Sequence, residues 1–223
     1  MKKSYFKTII LSIVALFFVV GEVKAQVNLG VDVMSRYVWR GADFGNSPSI
    51  QPEISASLGN FEIGTWAAFA TTGDPDGTEV DWFISYTLDL NDSGSIELLV
   101  NDYTFPVGPG YFSSDEHFIE TTIGYSGPDR FPISLSAGIF VANDDDNSAY
   151  IELGYDTGPF DLVFGFTPAE SELYGTTGAG VINLGFNTSR EVQISDQFSM
   201  DLMGSVKTNP YAETLFFVFG IGF

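Results

Sequence analysis

The chain has 223 residues, no cysteine, and 29 acidic against 9 basic side chains. The absence of cysteine excludes disulfides and thiolate metal sites, and the net charge of −20 disfavours a nucleic-acid partner because phosphates repel it. The 21 Phe and 10 Tyr residues argue against an acidic disordered tail, since such tails lack aromatic side chains. We therefore expect one folded domain that needs no cofactor.

The first 25 residues have the features of a secretory signal peptide. Three lysines open the segment, residues 9–20 are apolar, and Ala25 closes it with a small residue. The apolar run is shorter than the roughly 18–20 residues that a membrane-spanning helix needs. We therefore predict export and cleavage after Ala25, which leaves residues 26–223 as the mature domain.

From there on, apolar and polar side chains alternate, as Val31 and Val33 do around Asp32. A period of two predicts β-strands with one apolar face. Most of the predicted strands are long enough for a tilted strand to cross a bilayer, whereas strands of soluble sandwiches average about five or six residues. Twelve strands are predicted, over residues 28–40, 48–58, 61–71, 78–90, 94–105, 116–126, 131–142, 148–156, 159–167, 178–188, 196–207 and 212–223.

The connections between these strands form a second pattern. Tight turns such as Gly59-Asn60 mostly alternate with longer loops, and residues 189–195 are an exception, a long loop where a short turn is due. This alternation is typical of barrels with short periplasmic turns and longer outer loops, and an even strand count places both termini on the periplasmic side. We expect an all-β fold, a transmembrane antiparallel up-and-down β-barrel of about 12 strands in the bacterial outer membrane. A soluble β-sandwich is the alternative.

Aromatic residues near the predicted strand ends support a membrane location. Tyr37, Trp39 and Trp82 are among those expected on the outward face, where they would form interfacial girdles against outer-membrane lipid and lipopolysaccharide. The last strand ends on Phe223. Outer-membrane barrels commonly end on such an aromatic residue as the signal for the barrel insertion machinery, so we assign Phe223 that role.

Residues 35–41 read Ser-Arg-Tyr-Val-Trp-Arg-Gly, and a Pro-Ser-Ile-Gln segment follows at residues 48–51. This order resembles the TorF-like porins, a family also called Gcw_chp and described as a conserved hypothetical outer-membrane family. The family pattern Ser-x-Tyr-x-x-Arg-Gly falls on Ser35, Tyr37, Arg40 and Gly41, while Trp39 stands where the family commonly has Phe. The resemblance implies a pore-like outer-membrane protein and no particular substrate.

The polar faces of the strands carry charges that would cost about 2–4 kcal/mol each at the centre of a bilayer, so we expect them to line the lumen. Arg36 and Arg40 share the polar face of the predicted first strand with Asp32 and could form a ladder of ion pairs with nearby carboxylates. The predicted pore-lining residues are Asp32, Arg36, Arg40, Glu53, Glu62, Glu79, Asp81, Glu120 and Glu152. They form either a constriction that sets an ion preference or a plug of salt bridges that closes the lumen.

The function we expect is a porin-like channel for passive diffusion of ions or small solutes, preferring cations because acids exceed bases. The alternative is a structural or adhesive barrel with a blocked lumen that acts through its acidic loops. One such loop, Asp144-Asp145-Asp146, suggests either a divalent cation site or a solvated turn. We expect no enzyme, because His117 is the only histidine and its sequence neighbours are too close to form a triad.

Overall fold

The computed structural model describes residues 25–106, 113 and 116–223, so residues 1–24 of the predicted signal peptide lie outside the described residues. The described residues form a closed barrel and a separate two-stranded hairpin. The hairpin consists of β2 (Tyr37–Trp39) and β3 (Ala42–Phe44). The barrel strands are β1 (Gln26–Met34), β4 (Ser49–Leu58), β5 (Phe61–Ala70), β6 (Thr78–Asp89), β7 (Ser95–Thr104), β8 (His117–Ser126), β9 (Ile133–Ala142), β10 (Ala149–Asp156), β11 (Asp161–Thr167), β12 (Gly180–Ser195), β13 (Phe198–Asn209) and β14 (Thr214–Gly222).

The barrel closes between its first and last strands. Each barrel strand pairs antiparallel with its neighbours along the chain, and β1 pairs with both β4 and β14. At the seam the Val31 amide donates to the Phe223 carbonyl (3.2 Å), and the Phe223 amide donates back to the Val31 carbonyl (3.1 Å). The predicted fold class, an antiparallel barrel of twelve strands, is confirmed. No helix in the described part of the chain is long and apolar enough to span a membrane.

The two ends of the barrel differ. We call the end at which β1 begins and β14 ends the turn end, and the end that holds the β2–β3 hairpin the loop end. The predicted long loop at residues 189–195 is wrong, because β12 continues to Ser195 and pairs with β13 up to Phe198. The polar residues of this segment are typical of a loop. Their backbone N–H and C=O groups are nevertheless hydrogen-bonded in the ladder with β13, which does not depend on the side chains.

The outer surface of the barrel is apolar. Every barrel strand exposes large apolar side chains, and the largest exposures include Leu29 (80%), Phe219 (68%) and Phe217 (67%). The apolar face of each strand therefore points outward and the polar face points into the lumen, because successive side chains alternate between the two faces. A soluble sandwich would instead bury its apolar faces between two sheets.

The first predicted strand is wrong beyond Met34, where β1 ends. Trp39 pairs with Ala42, which leaves Arg40 and Gly41 as a two-residue turn with φ angles of 45° and 79°. Positive φ at both positions is what a type I′ hairpin turn requires. Apolar and polar side chains still alternate beyond Met34 because β2 is also an extended strand, although it lies outside the barrel sheet. Tyr37 is buried rather than part of an outer aromatic girdle, and Trp39 is half-buried in the same hairpin.

Candidate functional site

Residues 35–47, which we call the lumen hairpin, cross the barrel interior at the loop end. The Tyr37 ring packs on Trp66 of β5 (centroids 5.2 Å apart), and the Tyr37 hydroxyl donates to Glu79 Oε2 of β6 (3.0 Å). From the opposite wall, Lys207 Nζ of β13 donates to the Val38 carbonyl (3.0 Å). The lumen hairpin therefore bridges opposite sides of the barrel and fills this end of it.

The tip of the lumen hairpin has room for glycine alone. A Cβ on Gly41 would lie 1.9 Å from the Ile182 carbonyl oxygen of β12 and 3.1 Å from Asn209 Cβ of β13. The positive φ of Gly41 also disfavours any other residue. The Arg-Gly pair of the sequence motif is thus the turn that reverses the chain inside the barrel and presses it against the wall.

Arg40 makes the central ion pair of the lumen. Its Nη1 and Nη2 donate to Oε1 and Oε2 of Glu120 on β8, at 2.8 and 3.0 Å. Nη1 also donates to the Tyr174 hydroxyl (2.6 Å), and the Tyr103 hydroxyl donates to Glu120 Oε2 (2.8 Å). The side chains of Arg40 and Glu120 are 14% and 2% exposed. A two-pronged guanidinium–carboxylate contact away from water is among the strongest polar contacts in proteins.

Aromatic rings enclose this ion pair. The guanidinium carbon of Arg40 lies 4.4 Å from the centroid of the Trp39 ring and 4.2 Å from that of the Tyr150 ring. Burial raises the pKa of Tyr174 to about 12, an effect that Arg40 opposes. Tyr174 therefore stays a neutral hydrogen-bonding hydroxyl. These rings cover most of the Arg40 guanidinium, so the pair is largely shielded from solvent.

Two more predicted lumen residues lie beside the lumen hairpin. Glu79 and Asp81 of β6 are 4% and 7% exposed, and Asn101 Nδ2 donates to Asp81 Oδ2 (3.0 Å). Asp81 Oδ1 is buried without a hydrogen-bond partner among the described residues. Both side chains point inward as predicted from alternation, and Glu79 is held by the hairpin through Tyr37.

The lumen at the turn end is lined by carboxylates that the hairpin does not cover. Their inward direction follows from the register, in which Asp201, Gly222 and Asp32 are successive partners and thus share one face. We call this set the acidic vestibule. Its members are Asp32, Glu53, Glu62, Glu97, Asp161 and Asp201, of which Asp32 and Glu62 are half-buried and the others are exposed.

Of the predicted ladder between the two arginines and the lumen carboxylates, the Arg40–Glu120 pair is present, whereas neither arginine pairs with Asp32 or Glu53. Arg36 lies on the lumen hairpin instead of β1, contacts Asp43, and donates to Asn46 Oδ1 (2.8 Å). Arg40 pairs with Glu120, on the far side of the lumen from Asp32 and Glu53. The early chain reversal at Arg40–Gly41 moves both arginines off β1 and explains the difference.

Sequence reasoning missed several lumen residues: Tyr103, Tyr150, Tyr174, Asn183 and Lys207. Tyr103 and Lys207 occupy polar-face positions of predicted strands, so alternation could have found them. Tyr174 lies in the connection between β11 and β12, where no period exists, and nothing in the sequence placed it near Arg40.

His117 and the acidic triplet lie outside the lumen. His117 Nδ1 is 2.8 Å from Asp102 Oδ2, and both residues alternate with inward side chains and so face outward. Asp146 accepts hydrogen bonds from the Glu172 amide (2.7 Å) and from Ser148 Oγ (2.9 Å), which links two loops. Within the described ranges no group of three or more His, Cys, Asp or Glu side chains is placed to hold a metal ion.

A family model described as a bacterial protein of unknown function (Gcw_chp) matches residues 21–167. The chain belongs to this family. The match runs from before β1 to the end of β11 and so includes the lumen hairpin. It does not connect the chain to the TorF-like porins. No curated protein and no solved structure matches the chain.

Proposed function

We propose that this Gcw_chp protein is a porin-like channel of the bacterial outer membrane, with the lumen hairpin as its constriction. The observation that carries the proposal is the division of each strand into an exposed apolar face and an inward polar face. Exposed apolar side chains around a closed barrel match lipid, and barrels have no free edge that would leave backbone groups unpaired in a bilayer. The resemblance to the TorF-like porins also supports a channel.

The same surface supports an outer-membrane location. Outer-membrane lipid and lipopolysaccharide would contact the apolar belt, and exposed rings near strand ends, such as Phe61 and Phe131, would lie at its borders. Phe223 is exposed at the end of the last strand, where the insertion machinery would meet it. The predicted signal peptide would deliver the chain to the periplasm. We propose no catalytic role.

The acidic vestibule supports passage of cations. Glu53, Glu97 and Asp201 are exposed inside a low-dielectric wall, where charges of one sign concentrate counterions. The main cationic partner in the lumen, Arg40, is neutralised by Glu120. A conducting lumen would therefore favour small cations over anions.

Conductance of the purified mature chain in a planar bilayer tests the channel. We expect discrete current steps, and a reversal potential in a KCl gradient that reports a preference for K⁺. Steps that favour Cl⁻ would contradict the charge argument. A barrel with the same insertion and no steps would contradict the channel.

The second candidate is a barrel with a blocked lumen that acts through its acidic loops. The buried network of Arg40, Glu120, Tyr103 and Tyr174 favours it, because these side chains leave little room for water at the loop end. The same recordings separate the two candidates, since a blocked barrel conducts only after the lumen hairpin is removed.

A further inference from the structure

A cavity of about 290 Å³ lies directly below the lumen hairpin. Its lining includes Arg40, Tyr150, Glu152, Asn183, Asn187 and Lys207. A second cavity of about 400 Å³ shares Glu152, Val163 and Asn187 with the first. This second cavity extends to the turns at the turn end of the barrel. The two cavities therefore adjoin on the turn-end side of the lumen hairpin, which is the side from which a small molecule would enter. The volume is at the lower end of the range of ligand pockets.

Lys207 is the unusual charge in this cavity. Its ammonium donates to the Val38 carbonyl, and no carboxylate lies within 4.0 Å of it among the described residues. An ammonium group has three hydrogen-bond donors, so two remain for the cavity. Arg40, by contrast, has its carboxylate in Glu120. Lys207 is thus a half-buried cation that needs an anionic or polar partner.

Glu152 supplies the opposite charge in the same cavity. Its Oε2 accepts hydrogen bonds from the Tyr150 hydroxyl and from Asn183 Nδ2. These two donors fix the direction of the carboxylate and leave its other oxygen without a bond to the protein in the described part of the chain. Asn187 also lines the cavity and offers an amide that can donate and accept.

We propose that this cavity binds a small zwitterion of the amino-acid type, with its carboxylate on Lys207 and its ammonium on Glu152. A simple anion would satisfy Lys207 but would be repelled by Glu152, and a simple cation would meet the reverse problem. A molecule that carries both charges satisfies both side chains at once. Binding at this site needs no net flow through the barrel, so it goes beyond the proposed channel and can fail or succeed independently of it.

The test uses the detergent-solubilised mature chain and three probes of similar size: alanine, propionate and ethylamine. Ligand-observed NMR titrations give the Kd of each. We expect alanine to bind about tenfold or more tightly than either single-charge probe, because each lost contact involves a charged hydrogen bond. Absence of alanine binding, or propionate binding as tight as alanine, overturns the proposal.

Two variants check the assignment of charges. Glu152→Gln should weaken alanine binding about tenfold and leave propionate binding as strong or stronger, whereas Lys207→Met should weaken both. Lys207→Arg, which keeps the charge, should retain most propionate binding. Glu62→Gln is the matched control, because Glu62 is a lumen carboxylate that does not line this cavity. Alanine binding that Lys207→Met leaves unchanged in a folded barrel overturns the site.

Discussion

The two halves of the lumen use the same residue type differently. At the loop end, Glu79 and Glu120 are 4% and 2% exposed and accept hydrogen bonds from tyrosines and Arg40. At the turn end, Glu53 of β4 and Glu97 of β7 also point inward and are exposed. What separates the halves is the lumen hairpin, which covers the first set and leaves the second open.

Alternation along a strand therefore predicts that a carboxylate points into the lumen. It does not predict whether that carboxylate stabilises the fold or acts on solutes. A covered carboxylate stabilises the fold through its partners, because an unpaired buried charge is costly. An uncovered carboxylate acts through its electric field on the ions and molecules that enter the barrel. Changes in the two halves should therefore separate stability from selectivity.

Removal of the lumen hairpin should give the largest effect. Met34 of β1 and Ser49 of β4 are register partners, so an Asn-Gly dipeptide in place of residues 35–48 would join them as a two-residue hairpin turn. Single-channel conductance should then rise about tenfold or more, because the loop end would lose its filling. Replacing the Gly59-Asn60 turn by Asn-Gly is the matched control and should change nothing. Equal conductance with and without the hairpin would show that it is not the constriction.

Breaking the buried ion pair should have the next largest effect. Arg40→Met leaves Glu120 buried and unpaired, and we expect a loss of about 3–5 kcal/mol in the free energy of unfolding, measured by urea titration in micelles. Arg36→Met removes the partner of Asp43 in a pair whose arginine is 35% exposed, and it should lose at most about 1 kcal/mol. The double variant Arg40→Met with Glu120→Gln should recover part of the first loss. Similar losses for both arginines would contradict the contrast between covered and open charges.

Much of the fold was predictable because a long amphipathic strand has one strong period. Strands such as β5 and β9 begin and end within two residues of their predicted bounds. The prediction of the strands failed where the alternating period gives no information about the direction in which the chain runs. Residues 35–40 keep an alternating pattern both in the predicted barrel strand and in the observed hairpin, and only the turn at Arg40–Gly41 distinguishes the two.

The candidate site was less predictable for a related reason. Inward positions such as Glu120 could be named from alternation, but their partners depend on the ring of strands. Arg40 and Glu120 are far apart in sequence, and β1 and β8 lie on different sides of the barrel. No local pattern brings them together; the reversed hairpin does.

Neutralising the acidic vestibule should alter selectivity and leave stability unchanged. Asp32→Asn, Glu53→Gln and Glu62→Gln together should lower the K⁺ over Cl⁻ permeability ratio about threefold at 0.1 M salt, because they remove part of the field in the lumen. The effect should shrink at 1 M salt, where charges are screened within about 3 Å. The control carries three neutralised acids in the loops, Asp76→Asn, Asp145→Asn and Glu213→Gln, and should keep the ratio. A ratio unchanged by the lumen variant would remove the vestibule from the selectivity argument.

The smallest effect should come from the link between two loops at the loop end. The Glu172 amide and Ser148 hydroxyl that donate to Asp146 lower the pKa of its carboxyl below the ordinary value. A lowered pKa means that the contact is fully present above the ordinary range of aspartate and is lost as the pH falls through the lowered value. The amide resonance of Glu172 should therefore shift in an NMR titration below about pH 4, and Asp146→Asn should remove the part of that shift that the Glu172 carboxyl does not itself cause. Asp145→Asn, at the exposed neighbour, should preserve it. A Glu172 amide that titrates identically in both variants would mean that Asp146 does not join the loops.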